Sequence, residues 1–278
     1  MTQRRKWTKE LVIAEINSLN RKFGRRPNKR DSSYLYASAR KFFGSWNNAM
    51  KEAGFEVKLN QKPNLPKKLD EDLAYFLGLL ITDGHIVFDD VHKKYKVMLF
   101  NSYTAEQKII INLIKQLFDY EPKIRKKKYG FNKLSNHEIY ITSKDLAGTL
   151  TQQFKIPNGA KSKIVQVPNY LFNSKKTIKG AFLRGVIDGD GHVAKNRPNI
   201  SVSSGSKEFL DGFGRLLNGL NMHPSSPKSK GPSNPNTFEI NLCRKEEIKR
   251  LFSIVYQYSN YFYPRKKRAW EDLKNRFS

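Results

Sequence analysis

Leu11, Val12, Ile16 and Leu19 recur at the spacing of one helix face, and Thr8 stands where it can cap that helix. Gly24 and Pro27 break the pattern. Tyr34, Leu35, Ala39 and Phe42 predict a second helix. Gly44-Ser45 leads into a third through Trp46, Ala49 and Met50, which stops at Gly54. Residues 1–57 therefore read as a small three-helix module. Residues 58–71 carry Pro63, Pro66, amides and lysines and read as an extended linker.

The remainder is an internal repeat. Residues 76–86 align with 183–193: each is a short apolar helix closed by Asp-Gly-His and followed by a β-branched run. Downstream, 97–100 corresponds to 200–203 as a strand, and 108–118 to 209–220 as an amphipathic helix. Likewise 138–142 corresponds to 238–242 as a strand, and 146–154 to 248–255 as a helix. Each half, 72–172 and 173–278, reads helix–strand–strand–helix–strand–strand–helix. The expected class is α+β, with two αββαββα subdomains related by a pseudo-twofold axis and a three-helix domain in front.

Charge narrows the partner. Lys and Arg number 52 against 25 Asp and Glu, a formal net charge of +27, which points to a polyanion. Hydrophobic residues at 38% and aromatics at 12% build cores and exclude a disordered chain. The one cysteine, Cys243, excludes an internal disulfide and a Cys-rich zinc site; it reads as a small apolar residue in a strand. The most apolar run, 73–81, is too short to span a bilayer, and no membrane partner is expected. The expected location is a reducing intracellular compartment, cytoplasm and nucleoid or organelle matrix. In the first module Arg21, Lys22, Arg25, Arg26, Lys29, Arg30, Arg40 and Lys41 crowd the surface, as a helical DNA binder requires.

The repeat also predicts chemistry. Both repeat helices are apolar nearly all round and must be buried. Gly78 and Thr82 in the first, and Gly185 and Gly189 in the second, allow close backbone approach. Packed together, the helices bring Asp83 and Asp190 side by side at C-terminal ends, where the macrodipole is already negative. A divalent cation compensates; carboxylates and carbonyls are the hard ligands that Mg²⁺ takes. The carbonyls of Thr82 and Gly189 are candidate further ligands. His85 and His192 follow each Asp-Gly and read as packing or surface-lining residues at a strand start. His92, His137 and His223 form no cluster with metal spacing.

Segments 76–84 and 183–191 resemble the two signature motifs of the LAGLIDADG homing endonucleases in their single-chain form, a resemblance covering about 72–278. The first motif departs at Ile81, where the family pattern often has an acid. Asp188 fills that acidic position in the second motif, where a structural or capping role is expected. Residues 1–57 resemble the homing-endonuclease-associated repeat, with Phe43-Gly44-Ser45-Trp46 and Ala53-Gly54 as punctuation.

The resemblance implies a monomer that cuts both strands of double-stranded DNA at a long, low-symmetry site, leaving short 3′ overhangs. It implies Mg²⁺ as cofactor, with Mn²⁺ substituting and Ca²⁺ binding without supporting cleavage. Asp83 and Asp190 become catalytic and metal-holding. Lys161 and Lys163 resemble the family's basic position for the first centre; Arg265, Lys266 and Lys267 are candidates for the second. Of the stretches after the second strands, only 204–207 supplies a lysine, Lys207. Curved antiparallel sheets would read the major groove. Their DNA-facing candidates are Lys93, Lys94, Lys96, Arg125, Lys127, Lys128 and Lys133, interleaved with Tyr129, Phe131, Asn132 and Asn136. The counterparts are Lys195, Arg197, Lys228 and Lys230.

The reading is a Mg-dependent endodeoxyribonuclease promoting intron or mobile-element homing. The alternatives on this scaffold are an RNA maturase, with intron RNA as partner, and a regulator that has lost cleavage. The chain starts at Met1 and ends at Ser278 without splicing residues, so a freestanding enzyme is expected over an intein domain.

Overall fold

The computed structural model describes residues 6–56, 61–127, 136–257 and 259–276, and the chain divides into two compact units at Asn60/Gln61. In the first unit, helices α1 (Lys9–Phe23), α2 (Ser33–Phe43) and α3 (Trp46–Glu52) each begin at a hydroxyl cap: Thr8, Ser32 and Ser45 accept the N–H of Leu11, Leu35 and Asn48. Gly24 and Gly44 end α1 and α2 in the left-handed conformation. Val12, Ile16, Leu19, Leu35, Ala39, Ala49 and Met50 form the core. Each fully buried large apolar side chain there contributes about 1.5–3 kcal/mol.

The second unit opens with 61–70, which hold no helix or strand. This stretch is tied to the unit by Asn64 N–H to Phe118 O (2.8 Å) and by Gln61 Oε1 accepting from Glu121 N–H (2.9 Å). Its first half runs α4 (Glu71–Thr82), β1 (Gly84–Asp89), β2 (Lys94–Asn101), α5 (Thr104–Phe118), β3 (Lys123–Lys127), β4 (Asn136–Ile141) and α6 (Lys144–Gln152). A 3₁₀ turn at Asn169–Leu171 leads to the second half: α7 (Lys176–Asp190), β5 (Gly191–Val193), β6 (Ile200–Ser204), α8 (Lys207–Asn218), β7 (Lys228–Ser229), β8 (Phe238–Leu242), α9 (Lys245–Tyr256) and α10 (Pro264–Arg276). The two halves repeat one element order, and α10 is appended to the second.

Each half holds a four-stranded antiparallel sheet, β1-β2-β4-β3 and β5-β6-β8-β7. Alternation sorts the faces. Ile86, Val97, Leu99, Ile139 and Ile141 are buried on one face of the first sheet; Val193, Ile200, Val202, Ile240 and Leu242 are buried in the second. Cys243 lies just past β8 and is exposed, its Sγ donating to Asn199 Oδ1 (3.2 Å), so it is not a strand residue. Among the described residues no helix is long and apolar enough to cross a membrane.

Helices α4 and α7 form the centre of this unit. Each residue of α4 corresponds to the one 107 positions later, Gly78 to Gly185 and Asp83 to Asp190. A Cβ at Gly78 would stand 2.5 Å from Phe182 O and 2.9 Å from Gly185 Cα. A Cβ at Gly185 would meet Tyr75 O, with Gly78 Cα and Leu79 N each 3.0 Å away. The helices therefore cross backbone to backbone. Gly78→Ala or Gly185→Ala should lower unfolding free energy by about 1–3 kcal/mol through overpacking. Urea denaturation of each variant measures this; unchanged stability would show that the helices are not in contact there.

Candidate active site

The crossing sets two helix ends together. Asp83 closes α4: its N–H donates to Leu79 O (2.9 Å), and its carbonyl accepts from Phe100 N–H (3.0 Å) on β2. Asp190 is the last residue of α7. Glycine must follow each acid because the chain doubles back on its own helix. A Cβ at Gly84 would lie 2.6 Å from Leu80 O, and one at Gly191 2.5 Å from Ile187 O. At the preceding positions, the Thr82 side chain occupies the space beside Gly189, and Thr82 Oγ1 donates back to Gly78 O and Leu79 O (3.1 Å each).

Two lysines converge on these ends. Lys161 Nζ donates to Thr82 O (3.1 Å), the carbonyl just before Asp83. Lys266 Nζ donates to Gly191 O, the carbonyl just after Asp190. The Thr82 carbonyl, a candidate metal ligand from the sequence, thus accepts an ammonium here. Each lysine comes from the segment that follows the last repeat helix of its half. Their neighbours differ: Lys163 is exposed, and Lys267 packs over the Phe262 ring (4.4 Å). Lys161 and Lys266 are the members of each pair that the fold brings to the acids.

The electrostatics are those of a strained cluster. Burial, then the charge of Asp190, push the Asp83 carboxyl up to about 7, opposed by Lys266 and Lys161. Asp190 is exposed on its open side, yet surrounding protein removes enough water to raise its carboxyl as well, again against Lys161 and Lys266. Desolvation lowers both lysines, and the two acids pull Lys161 back up. The acids share one repulsion, so their titration belongs to the pair. Two carboxylates whose ionised forms are under-compensated, beside backbone carbonyls, suit a hard divalent cation. Mg²⁺ binds through one or two carboxylates and keeps water and phosphate oxygens for the rest. Among the described residues no group of three or more His, Cys, Asp or Glu forms a protein-only cage.

Glu106 was not foreseen. It is buried on α5, accepts from Asn101 Nδ2 (2.9 Å) and Arg265 Nε (3.2 Å), and adds negative potential at Asp83. Arg265 also stacks over Tyr103 (4.5 Å), so this second-half residue reaches the first half. Nothing in the sequence pattern marked Glu106, an acid at the start of an amphipathic helix. Asp188 is buried and bonded to tyrosines, in keeping with the structural role expected of it.

The outer sheet faces carry the remaining candidates. By register, Lys94, Lys96, Lys123, Arg125 and Lys127 share the face of the first sheet opposite the core. Glu138 sits among them, 3.7 Å from Lys96 Nζ and 3.9 Å from Arg125 Nε. Lys93 is exposed in the β1–β2 turn, and Lys128, Tyr129, Phe131, Asn132 and Lys133 lie outside the described residues. The second sheet presents His192, Ser201, Ser203, Asn241 and Glu239 on the matching face, with Lys228. Lys230 Nζ reaches Glu239 and Ser203 Oγ (3.2 Å each). Lys195 and Arg197 are exposed in the β5–β6 loop, and Lys207 is exposed at the start of α8. Glu138 and Glu239 stand at corresponding register positions, another feature that the charge count hides. In the first unit Arg26, Lys29, Arg30 and Lys41 are exposed; Arg25 makes a two-pronged pair with Asp31 (2.8 and 2.9 Å) that holds the α1–α2 loop.

The same fold recurs in known proteins. Residues 177–256 match the LAGLIDADG-like domain, and residues 7–56 match the homing endonuclease associated repeat. The second half of the chain thus holds a LAGLIDADG-like domain, and the first unit a homing endonuclease associated repeat. The chain shares its fold with I-DmoI (TM-score 0.55, 18% identity, 72% of this chain and 97% of that one). It shares it also with I-WcaI bound to its DNA recognition sequence (TM-score 0.52, 18% identity, 74% and 88%). Curated relatives include the DNA-directed RNA polymerase subunit Rpo1C of Methanocaldococcus jannaschii, 30% identical over 212 residues, 70% of this chain and 23% of that protein. Another is a component of the A-type ATP synthase of Pyrococcus abyssi, 30% identical over 168 residues, 60% of this chain and 15% of that protein. The chain spans less than a quarter of either.

The raised carboxyls have a measurable sign. Asp83, at about 7 in the folded chain against an ordinary 3.8, holds a proton that the unfolded chain has lost between about pH 4 and 7. Its contribution to the stability of the metal-free protein therefore falls as pH rises through that window, then levels off. Asp83→Asn should become progressively more stable than the parent from pH 5 to pH 8. Urea denaturation in chelator reads the difference; a pH-independent gap would contradict the shift.

Proposed function

We propose that this protein is a site-specific endonuclease that hydrolyses both strands of double-stranded DNA with a divalent cation, Mg²⁺ in the cell, in the service of a mobile element. The observation that carries the reading is the meeting of Asp83 and Asp190 at paired helix ends, each with its own lysine on an adjacent carbonyl. A binding protein gains nothing from two carboxylates forced together in a chain of net charge +27. A phosphodiester hydrolase needs them.

In this reading Asp83 and Asp190 hold the cation, with the Gly189 carbonyl as a further oxygen donor. Bound Mg²⁺ supplies Lewis acidity toward the scissile phosphate and an activated water. Lys161 and Lys266, desolvated and fixed on carbonyls, place positive charge where phosphate charge develops. Lys94, Lys96, Arg125 and Lys127, with Lys195, Arg197, Lys228 and Lys230, contact the duplex from the two sheets. Arg26, Lys29, Arg30 and Lys41 add phosphate contacts from the N-terminal repeat.

Structures of I-DmoI are described in complex with DNA and Mn and in complex with DNA and Ca, and I-WcaI bound to its recognition sequence; these support DNA as substrate and a divalent cation at the centre. The curated relatives support the mobile-element part. Translation initiation factors, an RNA polymerase and an ATP synthase have no activity in common. Yet a chain of each shares with this one a segment of 7–16%, 23% or 15% of its own length. A segment recurring in proteins of unrelated activity is an insertion that brings its own function.

The test begins with a target selected from a randomised duplex library in Ca²⁺, then offered in a plasmid with Mg²⁺. The parent should linearise it. Asp83→Ala and Asp190→Ala should each slow double-strand cleavage by at least about 100-fold while affinity in Ca²⁺ stays within about threefold. Full cutting by both variants would refute the assigned centre; binding without any cleavage by the parent would leave a DNA-binding regulator or a maturase. Removing 1–57 should weaken binding and shorten the footprint without abolishing cleavage, read by footprinting and a cleavage time course. A footprint of unchanged length would show that this unit does not touch the duplex.

A further inference from the structure

The two lysines at the centre occupy matching places but are held by different devices. Lys161 sits on a loop pinned to the edge of β1. Asn158 accepts from Phe88 N–H and donates to Phe88 O (2.9 Å each), and Gly159 N–H donates to Ile86 O (3.0 Å). Lys266 sits on α10, and the residue that opens that helix, Tyr263, donates its N–H to Asp188 Oδ2 (2.8 Å). One turn later Lys266 N–H donates to Tyr263 O (3.0 Å), and Lys266 Nζ ends on Gly191 O beside Asp190.

Asp188 is itself fixed from several directions. Tyr75 OH on α4 donates to Oδ2 (2.8 Å), and Tyr256 OH on α9 approaches Oδ1 (3.5 Å). Arg184 lies over the Tyr75 ring (4.7 Å) and donates to Val255 O (2.5 Å), tying α7 to the end of α9. Asp188 is 1% exposed, so every one of these bonds is made away from water. The corresponding position in the first half is Ile81, buried and unable to accept a hydrogen bond. Among the described residues the first half has no counterpart of α10 either. A carboxylate buried at one of two matching positions, bonded to the residue that launches the lysine-bearing helix, has a one-sided task.

We propose that Asp188 is the positioning residue for Lys266 and not for Lys161, so that the two DNA strands depend on independently anchored lysines. The proposal rests on the nuclease reading for its kinetic consequence, but the placement of α10 can be tested without it. Asp188→Asn keeps one acceptor for the Tyr263 N–H; Asp188→Ala keeps none.

The experiment uses the full chain in two parts. First, amide hydrogen exchange should rise at least tenfold over residues 263–270 in Asp188→Ala, less in Asp188→Asn, and remain unchanged over 156–165, which carry Lys161. Second, strand-resolved cleavage of an end-labelled selected target should show Asp188→Ala slowing by at least tenfold the strand that Lys266→Met slows. The strand that Lys161→Met slows should keep its parental rate, so nicked product accumulates, and Asp188→Asn should recover part of the loss. Equal slowing of both strands, or unchanged exchange over 263–270, overturns the proposal. If the parent protein cuts neither strand, the nuclease reading fails, and the exchange result alone decides whether Asp188 positions α10.

Discussion

Gly78 and Gly185 touch across the α4–α7 crossing with no side chain between them, and the rest of the second unit is organised by that contact. Both helices are buried through their middle stretches, Leu73–Ile81 and Gly180–Asp188, so apolar burial holds them in place. The same packing forces together two helix C-termini, each ending in an aspartate. Macrodipole, desolvation and mutual repulsion all oppose that arrangement. The fold therefore uses hydrophobic packing to hold together two carboxylates that electrostatics would push apart.

Around this near-symmetric centre the side chains have diverged. The strand order is the same in both sheets and the registers correspond. Yet the outer face of the first sheet carries Lys94, Lys96, Lys123 and Arg125, whereas that of the second carries Ser201, Ser203 and Asn241 beside Lys228. Lysines and arginines act on the phosphate backbone over a distance; serine and asparagine hydrogen-bond only at contact. Backbone symmetry is retained because the crossing demands it, while the surfaces obey no such constraint.

Much of this was legible in the sequence. Repetition of the apolar helix with its Asp-Gly-His ending predicted the duplicated αββαββα order, the buried pair of helices and the meeting of Asp83 with Asp190. Caps at Thr8, Ser32 and Ser45 and breaks at Gly24 and Gly44 delimit the N-terminal helices at residues that have a local physical preference for those places. What stayed hidden was decided by contacts distant along the chain. Lys161 and Lys163 are chemically equivalent in sequence; only the loop bonded to β1 turns one inward. Glu106 and Arg265 find each other from different halves, and Cys243 falls one residue beyond its expected strand.

The fit of Thr82 against Gly189 has a further meaning for assembly. Two copies of the first half, paired as the halves are paired here, would place Thr82 against Thr82 where no room exists for a second side chain. The crossing is thus complementary, large against small, and no longer self-complementary. Joined in one chain, the halves form a matched pair in which the first carries a threonine that a copy of itself could not accommodate.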